Sequence, residues 1–287
     1  MKKNKYIGYL LILPTYILFA LFFLIPLLYS FKLTFYEWNG FSPTMEFVGL
    51  QNYMMLFQSQ DFINALKNTV VYAGSTVILA VFISLVLSVV VQDGIKGYQT
   101  IKGIYFLPHI VSLVAVGVVW SWVFLPNSSG LLNAIIGVFG LESQKWLADP
   151  NLAMGSLVII GVWKSIGYNM VIFIAGLLSI PESLYEAAKI DGATKLQSFT
   201  KITVPMLKPT MFFVMVSATI YSLFQVFDIV NVTTGGGPVG STEMLVTYLY
   251  KVGFEQFQIG YASAIAFVLF IMTALITVIQ KKFIEER

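Results

Sequence analysis

Apolar positions along this chain come in long unbroken runs, not in the two-residue alternation of a half-buried strand. No charged residue occurs at 6–31, 68–92, 103–141 or 256–280. Each run exceeds the roughly 20 residues that an α-helix needs to cross a ~30 Å hydrocarbon core. Two further apolar stretches are interrupted or ended by a charge: 152–179, which holds Lys164, and 206–227, which stops before Asp228. The pattern predicts six transmembrane helices in an all-α, polytopic membrane protein. A membrane β-barrel is not expected, because its strands alternate over ~10 residues. The first run follows the basic stretch MKKNK, but it is too long for a signal-peptide core and no small-x-small site follows it. It is expected to be a retained helix.

Composition agrees with the pattern. Hydrophobic residues make up 57% of the chain and charged residues 11%, too few charges to cover a water-soluble surface of this size. There is no Cys and a single His, which excludes thiolate catalysis, disulfide frameworks and a His-based metal site. No basic patch dense enough for nucleic acid is present. The net charge of +3 matters for where its carriers sit. With the N-terminus placed inside, twelve Lys and Arg fall on inner segments, four (Lys32, Lys67, Lys145, Lys251) on outer ones, and Lys164 within a span. That bias predicts cytoplasmic termini on both ends. Trp38 and Trp146 fit an outer aromatic belt, and the apolar stretch 131–139 is too short to span and is expected at the interface.

The long inner connection at 180–205 carries a local helix signature. Ser179 and Glu182 are spaced as a capping box, with Pro181 at the first turn. Leu184, Tyr185, Ala187, Ala188 and Ile190 follow at helical spacing, and Asp191-Gly192 reads as a glycine stop. A second helical stretch is expected at 196–202. A short helix with small Ala side chains is shaped either to enter a groove of another protein or to lie on the membrane.

The stretch EAAKIDGATKLQSFTKITVP at 186–205 closely resembles the EAA loop of binding-protein-dependent ABC importer permeases. FVGLQNY at 47–53, Asn68-Thr69, FLP at 106–108, TGGGP at 234–238 and GYASA at 260–264 resemble the carbohydrate branch of that family, over nearly the whole chain. The resemblance is to the maltose/glycerol-phosphate type of subunit. It implies a type I ABC importer permease fold, with an N-terminal helix and external loop at 1–67, an importer transmembrane domain at 68–281 and a tail at 282–287. It also implies a bacterial or archaeal cytoplasmic membrane, a second homologous permease, two ATPase subunits, an extracellular solute-binding protein and a sugar substrate. The loop becomes the coupling helix, with Tyr185, Glu186, Ala187, Ala188, Ile190, Asp191, Gly192 and Ala193 as the ATPase contact. This chain lacks G-x-x-x-x-G-K-[ST], so no cofactor is expected here, and ATP and Mg are expected on the partners. The TGGGP stretch reads as a tight external turn.

The substrate pathway is expected where polar groups interrupt apolar spans: Trp163, Lys164, Ser165, Tyr168 and Asn169 in the fourth, and Thr219, Ser222, Gln225 and Asp228 on one face of the fifth. A charge at mid-bilayer costs on the order of 2.5–3.5 kcal/mol on insertion scales, so Lys164 and Asp228 should face the bundle interior or water. The same hydroxyls and amides also serve to bond helices together. His109, after Pro108, reads as a local hydrogen-bond partner. A permease for another solute (a polyol phosphate or a peptide) and an ion-coupled carrier are the alternatives. The carrier leaves residues 186–193 without a purpose.

Overall fold

The computed structural model describes residues 5–92 and 98–285. The chain runs through α1 (Lys5–Phe19), α2 (Ile25–Leu33), a small hairpin of β1 (Tyr36–Glu37) and β2 (Glu46–Phe47), α3 (Gln51–Gln58) and α4 (Gln60–Gln92). Then come α5 (Tyr98–Ile110), α6 (Leu113–Val123), α7 (Leu131–Val138), α8 (Ala153–Leu178) and α9 (Glu182–Ile190). The remainder is α10 (Lys195–Ser198), α11 (Val204–Met206), α12 (Lys208–Phe224), α13 (Val226–Thr233), α14 (Leu245–Tyr250) and α15 (Ile259–Glu285).

Among the described residues, five stretches are helices long and apolar enough to cross a membrane: Gly8–Leu33, Gln60–Val91, Ala153–Leu178, Lys208–Thr233 and Ile259–Ile284. A sixth is in two pieces, Lys102–Ile110 and Leu113–Val123, bent by 105°. The six expected spans are present when this broken pair counts as one. Pro108 sits in the last turn before the break, where it removes one backbone donor and crowds the preceding turn.

Two compact units are distinguished. One joins residues up to Ile63 with Tyr248–Phe270, and the other joins Asn64–Thr247 with residues from Ile271 onward. In the first, Asn52 Nδ2 donates to the carbonyls of Thr34 (2.9 Å) and Tyr36 (3.1 Å), tying α3 to the end of α2 and to β1. Gly260 lies so close to the Tyr36 carbonyl that a Cβ would overlap it. Asn52 and Gly260 belong to the stretches 47–53 and 260–264, so both motifs act here as packing devices.

The second unit is built around α8. Its apolar window is 67% buried, the highest share of any span, so it forms the centre of this unit. Leu157, Ile160 and Val162 of α8 share a core with Val116 and Phe124 of α6 and with Val226, Ile229 and Val230 of α13. Glycines let backbones approach α8, as small residues do between membrane helices. A Cβ on Gly176 would meet Thr210 Oγ1 at 2.6 Å, and one on Gly167 would fall on the Tyr105 carbonyl of α5. Asn133 of α7 is fully used. Its Nδ2 donates to the carbonyls of Leu125, Asn127 and Gln144, and its Oδ1 accepts from Gln144 N–H and Trp146 Nε1. Leu131, Ile135 and Val138 of α7 stay exposed.

The 234–242 turn is closed from both sides. Thr242 Oγ1 bonds Thr234 Oγ1 and the Gly237 carbonyl, while Asn64 and Asn68 both donate to the Gly240 carbonyl. Thr69 Oγ1 accepts the Leu245 N–H, which accounts structurally for the Asn68-Thr69 pair.

Overpacking a helix contact costs about 1–3 kcal/mol, so Gly167→Val is expected to lower the Tm of the detergent-solubilised protein. Gly155→Val, on the same helix where a Cβ meets nothing within 4 Å, should leave it unchanged. Equal thermal stability of the two variants would refute the close α5–α8 approach.

Candidate functional site

Three residues of α8, spaced within one turn, organise the break between α5 and α6. Lys164 is 2% exposed, and its Nζ donates to the carbonyls of Pro108 (2.6 Å), His109 (3.0 Å) and Val111. A helix end leaves carbonyls without intrahelical donors, and the ammonium takes them. Gly167 supplies the space for the α5 backbone. Tyr168 stacks its ring on His109, with centroids 4.6 Å apart and planes 17° from parallel.

Beside this break lies a cavity of about 590 Å³. His109 and Ser112 line it from the break, Lys164, Ser165, Tyr168 and Asn169 from α8, and Ser217, Tyr221 and Gln225 from α12 and its end. His109 Nδ1 and Asn169 Nδ2 are buried and make no hydrogen bond within the chain. Leaving such a group unpaired costs about 1–3 kcal/mol. Among the described residues Lys164 is the sole lining Lys, Arg, Asp or Glu, and its donors are already engaged. The walls therefore offer neutral donors and acceptors with the faces of two tyrosines. Among the described residues, no group of three His, Asp or Glu is placed to hold a metal ion.

Of the nine residues expected on the pathway, five line the cavity: Lys164, Ser165, Tyr168, Asn169 and Gln225. Lys164 does so as a fastening of the break, and Ser165 Oγ is bonded to the Gly161 carbonyl. Trp163 instead packs edge-on against Trp120 of α6. Thr219 Oγ1 donates to the Met215 carbonyl and accepts from Gln280 Nε2 (2.7 Å), and Ser222 Oγ donates to the Thr219 carbonyl. Both serve helix packing. Asp228 lies in the first turn of α13, outside the cavity lining.

The misplaced face has a geometric cause. At ~100° per residue, successive steps of three drift by roughly 60°, so Thr219 and Asp228 would oppose each other even on one continuous helix. The helix also changes at Gln225. Ser217, Tyr221 and Gln225, at steps of four, share the cavity side. Sequence reasoning also set His109 aside as a local hydrogen-bond partner, whereas its Nδ1 has none. Its position straight after Pro108, within an apolar span, is the signal the sequence offers.

At the other end of α8 the helix closes on Ser179, whose Oγ donates back to the Gly176 carbonyl. Ser179 therefore does not cap α9, which starts after Pro181 without a side-chain cap. The capping box lies further on, between Thr194 and Gln197. The glycine stop is where it was expected. Gly192 has φ +75°, its N–H bonds the Lys189 carbonyl, and Ala193 N–H bonds the Ala188 carbonyl, a Schellman closure. Tyr185 turns inward, packing on Leu177, Ile180 and Leu207 and hydrogen-bonding Thr203 Oγ1 at 2.9 Å. It anchors α9 and is not on its outer face. Glu186, Ala187, Asp191 and Gly192 are exposed, Ala188 and Ala193 half-buried, and Ile190 is 86% exposed.

Residues 93–285 match the family described as "Binding-protein-dependent transport system inner membrane component". A probable ABC transporter permease protein of Bacillus subtilis (strain 168), YurN, is 38% identical over 99% of this chain and 97% of its own length. The sn-glycerol-3-phosphate transport system permease protein UgpA of Agrobacterium fabrum is 34% identical over 99% of this chain and 96% of its own. A bacterial ABC transporter involved in import of the acidic polysaccharide alginate contains a chain that superposes with a TM-score of 0.84. It is 25% identical, with 99% of this chain and 96% of that one covered. With its broken span, its α8-centred bundle and its exposed α9, the chain belongs to the binding-protein-dependent transport system inner membrane components and has the all-α fold of ABC importer permeases.

Proposed function

We propose that this chain is the permease subunit of an ATP-driven importer that passes a sugar or oligosaccharide from a binding protein into the cytoplasm by alternating access. A second homologous permease completes the pathway, and two ATPase subunits bind ATP and Mg on the inner side, where both termini also lie. One observation carries this reading. Among the described residues the cavity is lined by hydroxyl, amide and aromatic groups, Ser112, Ser217, Tyr168, Tyr221, Asn169 and Gln225 among them, while the one ammonium in that lining is spent on backbone carbonyls. Such walls suit an uncharged, hydroxyl-rich solute. The relatives named for glycerol 3-phosphate and for acidic alginate favour an anion as the second reading. It requires a cation that this cavity does not offer from its own lining.

The coupling role falls to α9. Glu186, Ala187, Ile190 and Asp191 on its outer side, with Ala188, Gly192 and Ala193 at its close, form the surface offered to the ATPase. Tyr185 ties that surface to the bundle, by its hydrogen bond to Thr203 just before α11 and by packing on Leu177 of α8 and Leu207 before α12, so movement of the ATPase is passed to the spans as a nearly rigid displacement.

Two outcomes are expected in the assembled transporter. Gly192→Val, which forces a branched side chain into a left-handed backbone, and Ala188→Trp should abolish binding-protein-stimulated ATP hydrolysis at normal membrane abundance. Unchanged stimulation in both variants would remove α9 from the coupling path. Separately, Tyr168→Ala, Asn169→Ala and Gln225→Ala should each weaken uptake of the accepted sugar about 2- to 10-fold, corresponding to about 0.5–1.5 kcal/mol per hydrogen bond. Trp163→Ala should leave the apparent KM unchanged. Uptake assays with labelled neutral sugars and glycerol 3-phosphate side by side check this, and preferential uptake of the phosphate ester would contradict the neutral-solute reading.

A further inference from the structure

We infer that Lys164 is the positioning residue of the solute pathway: it holds the α5–α6 break open and thereby sets His109 into the cavity, without itself contacting solute. The inference rests on the reading of the cavity as the solute path and adds which residue shapes it.

The argument starts from the two helix ends. A continuous helix through 108–115 would pair the carbonyls of His109 and Val111 with the N–H groups of Leu113 and Ala115. The break separates these partners. On the α6 side Ser112 provides no side-chain cap, and its carbonyl accepts the Val116 N–H at 3.0 Å. On the α5 side the carbonyls of Pro108, His109 and Val111 all go to one Nζ. Backbone carbonyls at membrane depth are tolerated outside a helix only where something satisfies them, and this ammonium satisfies three at the 105° bend. Charge-assisted bonds to a carbonyl cluster also place the cation where a helix C-terminus is partially negative.

The same α8 turn then orients what the break exposes. Tyr168 follows Lys164 by four residues and stacks on His109. His109 is thus held by its carbonyl and by its ring from successive turns of one helix, and it lines the cavity. Removing the ammonium frees three carbonyls. The N–H groups at the start of α6 are their partners in a continuous helix, and pairing with them would draw the break closed and turn position 109 off the cavity.

The chain has no Cys, so a single introduced thiol reports position directly. In the full transporter, with nucleotide and binding protein absent, His109→Cys is labelled with a water-soluble methanethiosulfonate reagent. Ser217→Cys, on the α12 wall of the cavity, serves as the reference. Adding Lys164→Met should slow labelling at 109 by about tenfold or more while leaving 217 within about twofold. Lys164→Arg, which keeps a charged donor, should restore most of the rate at 109. Loss at both positions, or no loss at 109, overturns the inference, because a general packing role moves both thiols and an idle lysine moves neither. If Lys164→Met is scarce in the membrane, Lys164→Gln, which retains a shorter donor, should give an intermediate rate at 109. A wild-type rate there is equally contrary. None of these readouts requires sugar transport, so the inference and the proposed substrate fail separately.

Discussion

A lysine ammonium placed on three backbone carbonyls at a helix break is the interaction on which the rest of this structure depends. A charge at the centre of a bilayer costs on the order of 2.5–3.5 kcal/mol on insertion scales, and broken backbone costs more for each unsatisfied group. Lys164 and the end of α5 offset one another. The arrangement needs the α5 backbone within reach of a side chain on α8, and Gly167 allows that approach by lacking a Cβ. From this single closure follow the bend of the third span, the stacking of His109 on Tyr168, and the room beside them for a cavity of about 590 Å³.

Rigid fastening recurs at the opposite end of α8. Ser179 closes that helix on the Gly176 carbonyl, Tyr185 reaches back to Thr203, and Gly192 ends α9 in a left-handed turn. Between these closures α9 has little freedom of its own, yet its outer side is open, with Ile190 86% exposed. A short element that is rigid inward and bare outward transmits displacement efficiently. A floppy loop of the same length would absorb it.

Much of this was legible in the sequence because it depends on local or averaged properties. Apolar runs report spans by length alone, and Asp191-Gly192 reports a helix stop because the left-handed conformation is a property of one residue. Direction and distant pairing were not legible. Trp163 and Tyr168 lie in one polar cluster, but which of them faces the cavity depends on where α6 and α12 pack. Ser179 and Glu182 have capping-box spacing, and the box failed because the Ser hydroxyl found a carbonyl behind it first. Thr219 and Ser222 were assigned to the pathway by a three-residue rhythm that drifts around the helix, and their hydroxyls are engaged within the bundle. Lys164 was correctly expected to face inward, but its acceptors lie 53 to 56 residues earlier. No spacing rule joins a lysine to a proline-linked helix end at that separation.

The account's central claim is that the ammonium of Lys164 maintains the broken span. It is tested most directly by an experimentally determined structure of the Lys164→Met transporter in its complete assembly. The account predicts that the angle between α5 and α6 relaxes well below 105°, with the carbonyls of His109 and Val111 paired to α6 backbone donors and the His109 ring withdrawn from Tyr168. An unchanged bend with the His109–Tyr168 stack intact would contradict it.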